Sequence, residues 1–167
     1  MRIFRIAALL FAALLTAFTL AGPASAAKGG SGNPHFIYVT PSLVGNNLQV
    51  DFKEAGVGAG ASVDVSTTAT FTYELGCING GSKHPKAANK EAFSVTPTAS
   101  GSFTANAGGN VVASLTLVAP TDEEILATLE CPPGQTTTLF SAYWSGLSIT
   151  DVTNGITIAI PGTWSVF

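Results

Sequence analysis

The sequence is short of charge, and basic residues are especially scarce. Asp, Glu, Lys and Arg together make up 10% of the 167 residues. Both arginines, Arg2 and Arg5, lie at the very start of the chain. The remainder has no basic stripe that could track a phosphate backbone, which excludes nucleic acid and argues against an anionic membrane surface as partners.

Few residues are equipped for catalysis. The two histidines are His35, which follows a Gly-rich segment, and His84, and no Gly-x-Ser-x-Gly elbow is present. We therefore expect a non-enzymatic protein without a cofactor or a metal. The acids at 122–124 are better explained as a helix start than as a calcium site, because calcium needs more oxygen ligands in a looped geometry. A catalytic role would require His35 or His84 within hydrogen-bonding reach of a Ser, Asp or Glu in a cleft.

The amino-terminal segment predicts export. Its first five residues carry two positive charges, Ile6–Ala21 is an uncharged apolar run, and residues 24–26 read Ala-Ser-Ala, a cleavage signal. A transmembrane anchor is the alternative, but the run is short against the ~20 residues that span a bilayer. We predict a signal peptide at residues 1–26, a flexible leader at 27–34 and one domain at 35–167, secreted and without a membrane span after cleavage. The mature chain then carries five lysines against ten acids, a net charge of −5.

The two cysteines, Cys77 and Cys131, predict one disulfide. Export places them in an oxidising compartment, which favours pairing. A zinc site is poorly supported, because two widely separated cysteines lack companion ligands at zinc-binding spacing. Cys77 also has the inward parity of the alternating segment Val63–Cys77, as a bridge across a core requires.

Alternation of apolar and small polar residues predicts an antiparallel β protein. In Leu147–Ile160 two β-branched runs flank Asn154-Gly155, the strongest short-range signal for a two-residue hairpin turn. Residues Leu48–Phe52 alternate with Leu48, Val50 and Phe52 facing inward. The alternation Val63–Cys77 is longer than a usual strand, so we expect a bend or a bulge near Thr67-Thr68.

Turn signals and one helix complete the predicted fold. Thr121 and Glu124 fit a capping box for a short helix that is stopped by Cys131–Gly134, and Phe36–Thr40 reads as a strand ended by Pro41. About eight or nine short strands, with turns every 8–12 residues, predict an antiparallel immunoglobulin-like β-sandwich with one short helix and one disulfide. A closed barrel is the alternative. The Trp that immunoglobulin domains place between their two cysteines is absent.

Several segments carry a resemblance to known proteins. They are Val50–Gly56, Cys77–Gly81, Ala87–Lys90, Cys131–Gln135, and Thr153–Gly155 with Ile160–Gly162. Together they resemble a group of small exported microbial β-sandwich proteins of unknown function, which implies the same fold and export but brings no catalytic residues. A fainter similarity to the neocarzinostatin-type apoproteins, exported immunoglobulin-like carriers of apolar chromophores, lies in Val39–Ser42 and the Gly-Ala-rich loop 56–61. The second disulfide of those proteins is missing here.

Binding is the function that the remaining residues support. Exposed aromatic rings on a β-sandwich stack on sugars or fill apolar pockets, and the candidates are Tyr143, Trp144 and Trp164. Tyr143 and Trp144 are consecutive in a strand, so one points to each face and at least one belongs to the core. The loop around His84 gathers three of the five lysines and is a further candidate, with a solvated surface loop as the alternative.

Two functions are compatible with these features. The first is a secreted non-enzymatic binding or structural module that acts at a cell surface, on a polysaccharide or on a protein, and it predicts exposed aromatic residues or a flat uncharged patch on one sheet. The second is an extracellular carrier of an apolar small molecule in an immunoglobulin-like fold. It predicts a concave apolar cleft between sheets or loops.

Overall fold

The computed structural model describes residues 32–79 and 90–167, and within them the chain forms eight strands and one short helix. In chain order the elements are β1 (His35–Val44), β2 (Asn47–Ala55), β3 (Ser62–Asn79), β4 (Lys90–Val95), β5 (Thr98–Thr104), β6 (Val111–Leu117), α1 (Asp122–Leu126), β7 (Gln135–Asp151) and β8 (Ile156–Ser165). The strands form two antiparallel sheets that enclose a shared apolar core. The described chain is therefore an all-β sandwich.

The larger sheet is built around β3. Its order is β4–β3–β7–β8, and β5 also pairs with β3. Because β7 occupies one edge of β3 along most of its length, β4 and β5 share the other edge: β4 lies beside Phe71–Gly76 and β5 beside Ser62–Thr68. The smaller sheet has the order β1–β2–β6.

The irregularity predicted near Thr67-Thr68 is found in the pairing of β3 with β7. The register between β3 and β7 shifts between Thr68 and Thr70, and again between Glu74 and Leu75. The first shift coincides with the point where β5 gives way to β4 along β3. In both shifts the extra residue lies on β7, which bends and twists against β3, while the alternation of β3 itself is unbroken from Val63 to Leu75.

The predicted inward residues of β2 form the centre of the core. Leu48, Val50 and Phe52 are all fully buried. The ring of Phe52 meets Phe103 of β5 edge-to-face, with 5.5 Å between ring centroids, and so joins the two sheets. Such aromatic pairs contribute about 0.5–1.5 kcal/mol beyond the area they bury.

The predicted disulfide between Cys77 and Cys131 is confirmed. It joins the end of β3 to the segment between α1 and β7, with 5.6 Å between the two Cα atoms and a sequence separation of 54 residues. The bridge therefore anchors the helical connection to the larger sheet.

Helix α1 begins at the predicted capping box. The Thr121 side chain accepts a hydrogen bond from the backbone N–H of Glu124, and the Glu124 carboxylate accepts one from the backbone N–H of Thr121 (2.8 Å). Ile125 is the buried residue of the helix, and it packs into the core. The short helix therefore covers one part of the sandwich rather than standing in solvent.

The hairpin between β7 and β8 differs from the predicted two-residue turn. Asp151 pairs with Ile156, which leaves the four residues 152–155 in the loop. The Asp151 carboxylate accepts hydrogen bonds from the backbone and side-chain amides of Asn154, and the Gly155 N–H donates to the Asp151 carbonyl (2.9 Å). Because the buried Asp151 caps the loop in this way, the chain turns through a wider loop than the Asn-Gly pair alone predicts.

The predicted end of the first strand at Pro41 is also wrong. Strand β1 continues through Pro41, which pairs with Val50, as far as Val44. Since β1 lies at the edge of the smaller sheet, a residue without a backbone N–H is tolerated there.

Replacing both cysteines by serine should lower the free energy of unfolding by about 4 kcal/mol, because the unfolded chain regains the freedom that the closed loop removes. Urea titration followed by tryptophan fluorescence measures the change. The wild-type protein in a reducing agent serves as the control and should unfold like the double variant. A loss below about 1 kcal/mol would show that the bridge contributes little beyond the contacts around it.

Candidate functional site

Trp144 belongs to the core and leaves the set of candidate contact residues. Its side chain is 0% exposed, its ring centroid lies 4.9 Å from that of Phe71, and its indole N–H donates to the Asn46 carbonyl (2.9 Å). On the inner face of β7 the ring is packed against apolar neighbours and its N–H has a hydrogen-bond acceptor. A ligand on the surface cannot reach it, so stacking on Trp144 is wrong as a hypothesis.

The other three candidates lie in different places. Trp164 pairs with Trp144 in the ladder, is half-buried and packs against the core. Tyr143 points to the outer face of the larger sheet, between Thr72 of β3 and Ser165 of β8, and is half-exposed. His84 lies outside the described residues. Among the three rings, Tyr143 is therefore the one presented on the outer face of a sheet.

The outer face around Tyr143 is a regular array of hydroxyl groups. Four adjacent rows cross the larger sheet, each with one residue from the β4–β5 edge, one from β3, one from β7 and one from β8. The rows are Ser100, Ser66, Thr150 and Thr157; Thr98, Thr68, Ser148 and Ala159; Thr96, Thr70, Ser145 and Thr163; and Ser94, Thr72, Tyr143 and Ser165. Every position except Ala159 carries a hydroxyl group, and none of these side chains is buried. We call this array the hydroxyl lattice.

Hydrogen bonds between neighbouring strands order the hydroxyl lattice. The hydroxyl oxygens of Thr150 and Thr157 are 2.9 Å apart, and those of Thr70 and Thr96 are 3.3 Å apart. Thr68 donates to the carbonyl of Pro97 (3.1 Å). Strand spacing places neighbours at about 4.8 Å across the sheet and about 6.8 Å along each strand. The hydrogen bonds therefore hold part of the array in position, namely the hydroxyl groups of Thr68, Thr70, Thr96, Thr150 and Thr157.

Charged side chains border the hydroxyl lattice but do not enter its rows. Asp64 lies beyond the first row, next to Ser102, and accepts a hydrogen bond from that hydroxyl. Glu74 lies beyond the last row, where it forms an ion pair with Lys90 (3.2 Å), and the Lys90 ammonium stands 4.4 Å from the ring centroid of Phe140. The array between them contains no charged side chain.

The sequence predicts one part of this patch, the polar face of β3, but not the rows. The polar parity of β3, which includes Ser66, Thr68, Thr70 and Thr72, is visible as simple alternation. The rows themselves depend on the register of β3 with β5 and β7 and of β7 with β8, including the bulges. Sequence reasoning recognised the polar face of one strand and missed the array.

An apolar cleft lies between α1, the first half of β7 and the residues after β8. Its volume is about 440 Å³. Buried side chains of Phe71, Ile125 and Ala142 line it, together with the more exposed Leu126, Leu139 and Phe167. The polar lining comes from Asn46, Asp122, Thr137 and Thr138. Ligand pockets for small molecules have this size and this mixture of apolar walls with a few polar groups.

Two buried carboxyl groups meet inside the sandwich. Glu54 of β2 and Asp151 of β7 are both 0% exposed. With both groups ionised, neither Glu54 oxygen has a hydrogen-bond partner among the described residues. Burial raises the pKa of Glu54 to about 8, and a hydrogen bond to Asp151 and repulsion from it add to the shift. At neutral pH Glu54 therefore holds a proton, which it donates toward Asp151.

Sequence reasoning missed this pair although one signal was present. Glu54 has the same parity as Leu48, Val50 and Phe52 and follows them directly in β2. That parity points to the core, whereas a carboxylate is rarely buried without a partner. The partner comes from the distant Asp151, which only the packing of the two sheets brings near.

The described residues can be compared with the features of a metal site, a histidine-based catalytic site and a membrane span. They contain no group of three or more His, Cys, Asp or Glu side chains that could hold a metal ion. His35 is exposed, and its Nδ1 lies 2.7 Å from the backbone carbonyl of Asn33. Within the same described ranges, the helical segment is too short to cross a bilayer.

No protein-family model, curated protein or solved structure matches the chain.

Stability should fall as the pH rises from about 5 to about 8. The folded state keeps the Glu54 proton up to about pH 8, whereas a carboxyl with the ordinary value of 4.5 has already lost it in the unfolded chain. The contribution of Glu54 to the free energy of unfolding is thus fully present below about pH 4.5, and it declines by roughly 1 kcal/mol per pH unit over the interval. Urea midpoints at several pH values measure this slope.

The variant Glu54→Gln should flatten that slope, because an amide keeps the size and the donor but does not titrate in this range. Glu91→Gln, which changes an exposed acid on β4, is the matched control and should retain the wild-type slope. Glu124 does not interfere: hydrogen bonds from Thr121 lower the pKa of its carboxyl, so it titrates below this interval. Equal slopes for the wild type and Glu54→Gln would contradict the assignment.

Proposed function

We propose that this protein is an exported, non-enzymatic binding module that attaches to a neutral polysaccharide surface through the hydroxyl lattice. The observation that carries the proposal is the uncharged array of Ser and Thr side chains on the outer face of the larger sheet. An uncharged patch on the outer face of one sheet is a feature expected of a surface-binding module.

The chemistry of the hydroxyl lattice suits a polysaccharide. Each Ser or Thr hydroxyl both donates and accepts, as sugar hydroxyls do. Hydrogen bonds that each surface makes to water can therefore be replaced by an equal number of hydrogen bonds between the two surfaces. No charge within the rows has to lose its water on binding, which avoids the largest desolvation cost. The Thr methyl groups and the Tyr143 ring add apolar contact for the C–H faces of sugar rings.

The dimensions favour an extended ligand over a single sugar. Four rows on four strands span about 20 Å along the strands and about 14 Å across them. Each neutral hydrogen bond contributes only about 0.5–1.5 kcal/mol. A useful affinity therefore requires many contacts at once, which a polymer or a solid surface supplies.

Export and the finer fold assignment belong to the same proposal. Residues 1–26 act as a signal peptide that directs the domain 35–167 out of the cell, and the disulfide suits an oxidising exterior. The antiparallel sheets of three and five strands support an immunoglobulin-like arrangement of the sandwich.

Carriage of an apolar small molecule is the second candidate function. The cleft between α1, β7 and the residues after β8 favours it, because its volume of about 440 Å³ and its apolar lining suit a small ligand. The cleft and the hydroxyl lattice lie on different parts of the molecule, so the two functions do not compete for one surface.

Binding to polysaccharide should be lost when a charge enters the hydroxyl lattice. We expect wild-type residues 27–167 to co-sediment with an insoluble neutral polysaccharide such as cellulose or chitin. Thr70→Lys places an ammonium group in the third row and should weaken the apparent affinity at least tenfold, because its water must be removed on contact. Depletion from the supernatant at increasing polysaccharide measures the effect.

Thr116→Lys is the matched control. Thr116 is an exposed residue on β6 of the smaller sheet, so this change adds the same charge outside the hydroxyl lattice. It should leave binding as in the wild type. A wild-type protein that stays in the supernatant, or equal binding by both variants, would contradict the proposal.

A further inference from the structure

The apolar cleft has one strongly selective element, the carboxylate of Asp122. Among the described residues that line the cleft, Asp122 is the one with an ionisable side chain. It lies at the start of α1, next to Glu123 and Glu124, and no basic residue occupies the last turn of that helix. The local charge is therefore negative.

The other polar lining groups are partly committed to the fold. Thr137 donates to the Leu129 carbonyl (2.9 Å), and the backbone carbonyl of Asn46 accepts the indole N–H of Trp144. Glu124 is bound to Thr121 at the helix start. A ligand in the cleft thus meets Asp122 as its charged neighbour and Thr138 as a neutral one.

Asp122 is a solvent-exposed residue of the lining, so a ligand that enters the cleft can come next to its carboxylate. The apolar surface that such a ligand can touch comes from the more exposed Leu126, Leu139 and Phe167, because Phe71, Ile125 and Ala142 are already covered by the protein. An anionic ligand is repelled by Asp122, whereas a donor or a cation gains a charge-assisted hydrogen bond.

We propose that the cleft binds neutral or cationic apolar molecules of two or three rings that carry a hydrogen-bond donor, and that Asp122 excludes their anionic counterparts. This inference rests on the small-molecule carrier function and names its ligand class. It predicts that amines and alcohols are accepted and that carboxylates, sulfonates and fatty acids are not.

Two dyes with one skeleton test the selectivity. Phenylnaphthylamine is apolar and neutral with one N–H group, and anilinonaphthalene sulfonate adds a negative charge to the same rings. Both become fluorescent in apolar surroundings. The full mature chain should bind phenylnaphthylamine saturably and anilinonaphthalene sulfonate at least tenfold more weakly.

Two substitutions in the first turn of α1 test whether the Asp122 carboxylate causes the preference for the neutral dye. Asp122→Asn should bring the two dyes within about threefold of each other, because the repulsion is removed while the shape is kept. Glu123→Gln, a matched loss of charge at the next residue, which does not line the cleft, should preserve the tenfold preference. Equal preference in these two variants would overturn the role of Asp122.

A third pair of variants locates the dye. Thr138→Trp fills the cleft from β7 and should abolish binding of phenylnaphthylamine, whereas Thr136→Trp, two residues earlier and outside the lining, should not. Urea midpoints check that both variants remain folded. Binding that survives Thr138→Trp would place the dye elsewhere and overturn the inference.

The outcomes separate the ligand class from the carrier function itself. If neither dye binds the wild type, the carrier function fails together with the selectivity. If both dyes bind with equal affinity and Thr138→Trp abolishes both, the carrier function stands and the selectivity by Asp122 is wrong.

Discussion

The antiparallel ladder between β3 and β7 is the interaction on which the rest of the structure depends. It runs from Val65–Asp151 at one end to Asn79–Gln135 at the other, and all remaining strands of the larger sheet attach to one of these two. Its inner face supplies Phe71 and Trp144 to the core, and its outer face supplies the two central columns of the hydroxyl lattice. The geometry of both candidate sites therefore depends on the register between β3 and β7. A shift of one residue would exchange the two faces and abolish both sites at once.

The buried pair of Glu54 and Asp151 is the principal exception to an apolar interior. Its two members come from different sheets, and both are fully buried inside the sandwich. Asp151 also caps the loop between β7 and β8 through Asn154. An apolar pair of the same size would avoid the desolvation cost of these groups. The pair instead connects the packing of the sheets to the conformation of one hairpin.

The two proposed sites divide one fold between two kinds of recognition. The hydroxyl lattice is not buried and carries no charge, and it suits many weak contacts with an extended surface. The cleft is concave and apolar with one carboxylate, and it suits a few strong contacts with a compact ligand. Strand β7 contributes to both through alternate residues, such as Tyr143 on the outer face and Ala142 in the cleft.

Local features could be predicted from the sequence: the inward parity of β2 and β3, an irregularity near Thr68, the capping box at Thr121 and the pairing of the two cysteines. These depend on neighbours along the chain or, for the disulfide, on there being a single possible partner. The tertiary structure alone decided that Trp144 is buried while Tyr143 is on the outer face, since parity requires one of each but does not say which. It likewise decided the four-residue loop, the rows of the hydroxyl lattice, the cleft beside α1 and the meeting of Glu54 with Asp151. Each of these depends on which distant residues become neighbours, and that is set by strand register and sheet packing, to which every part of the chain contributes.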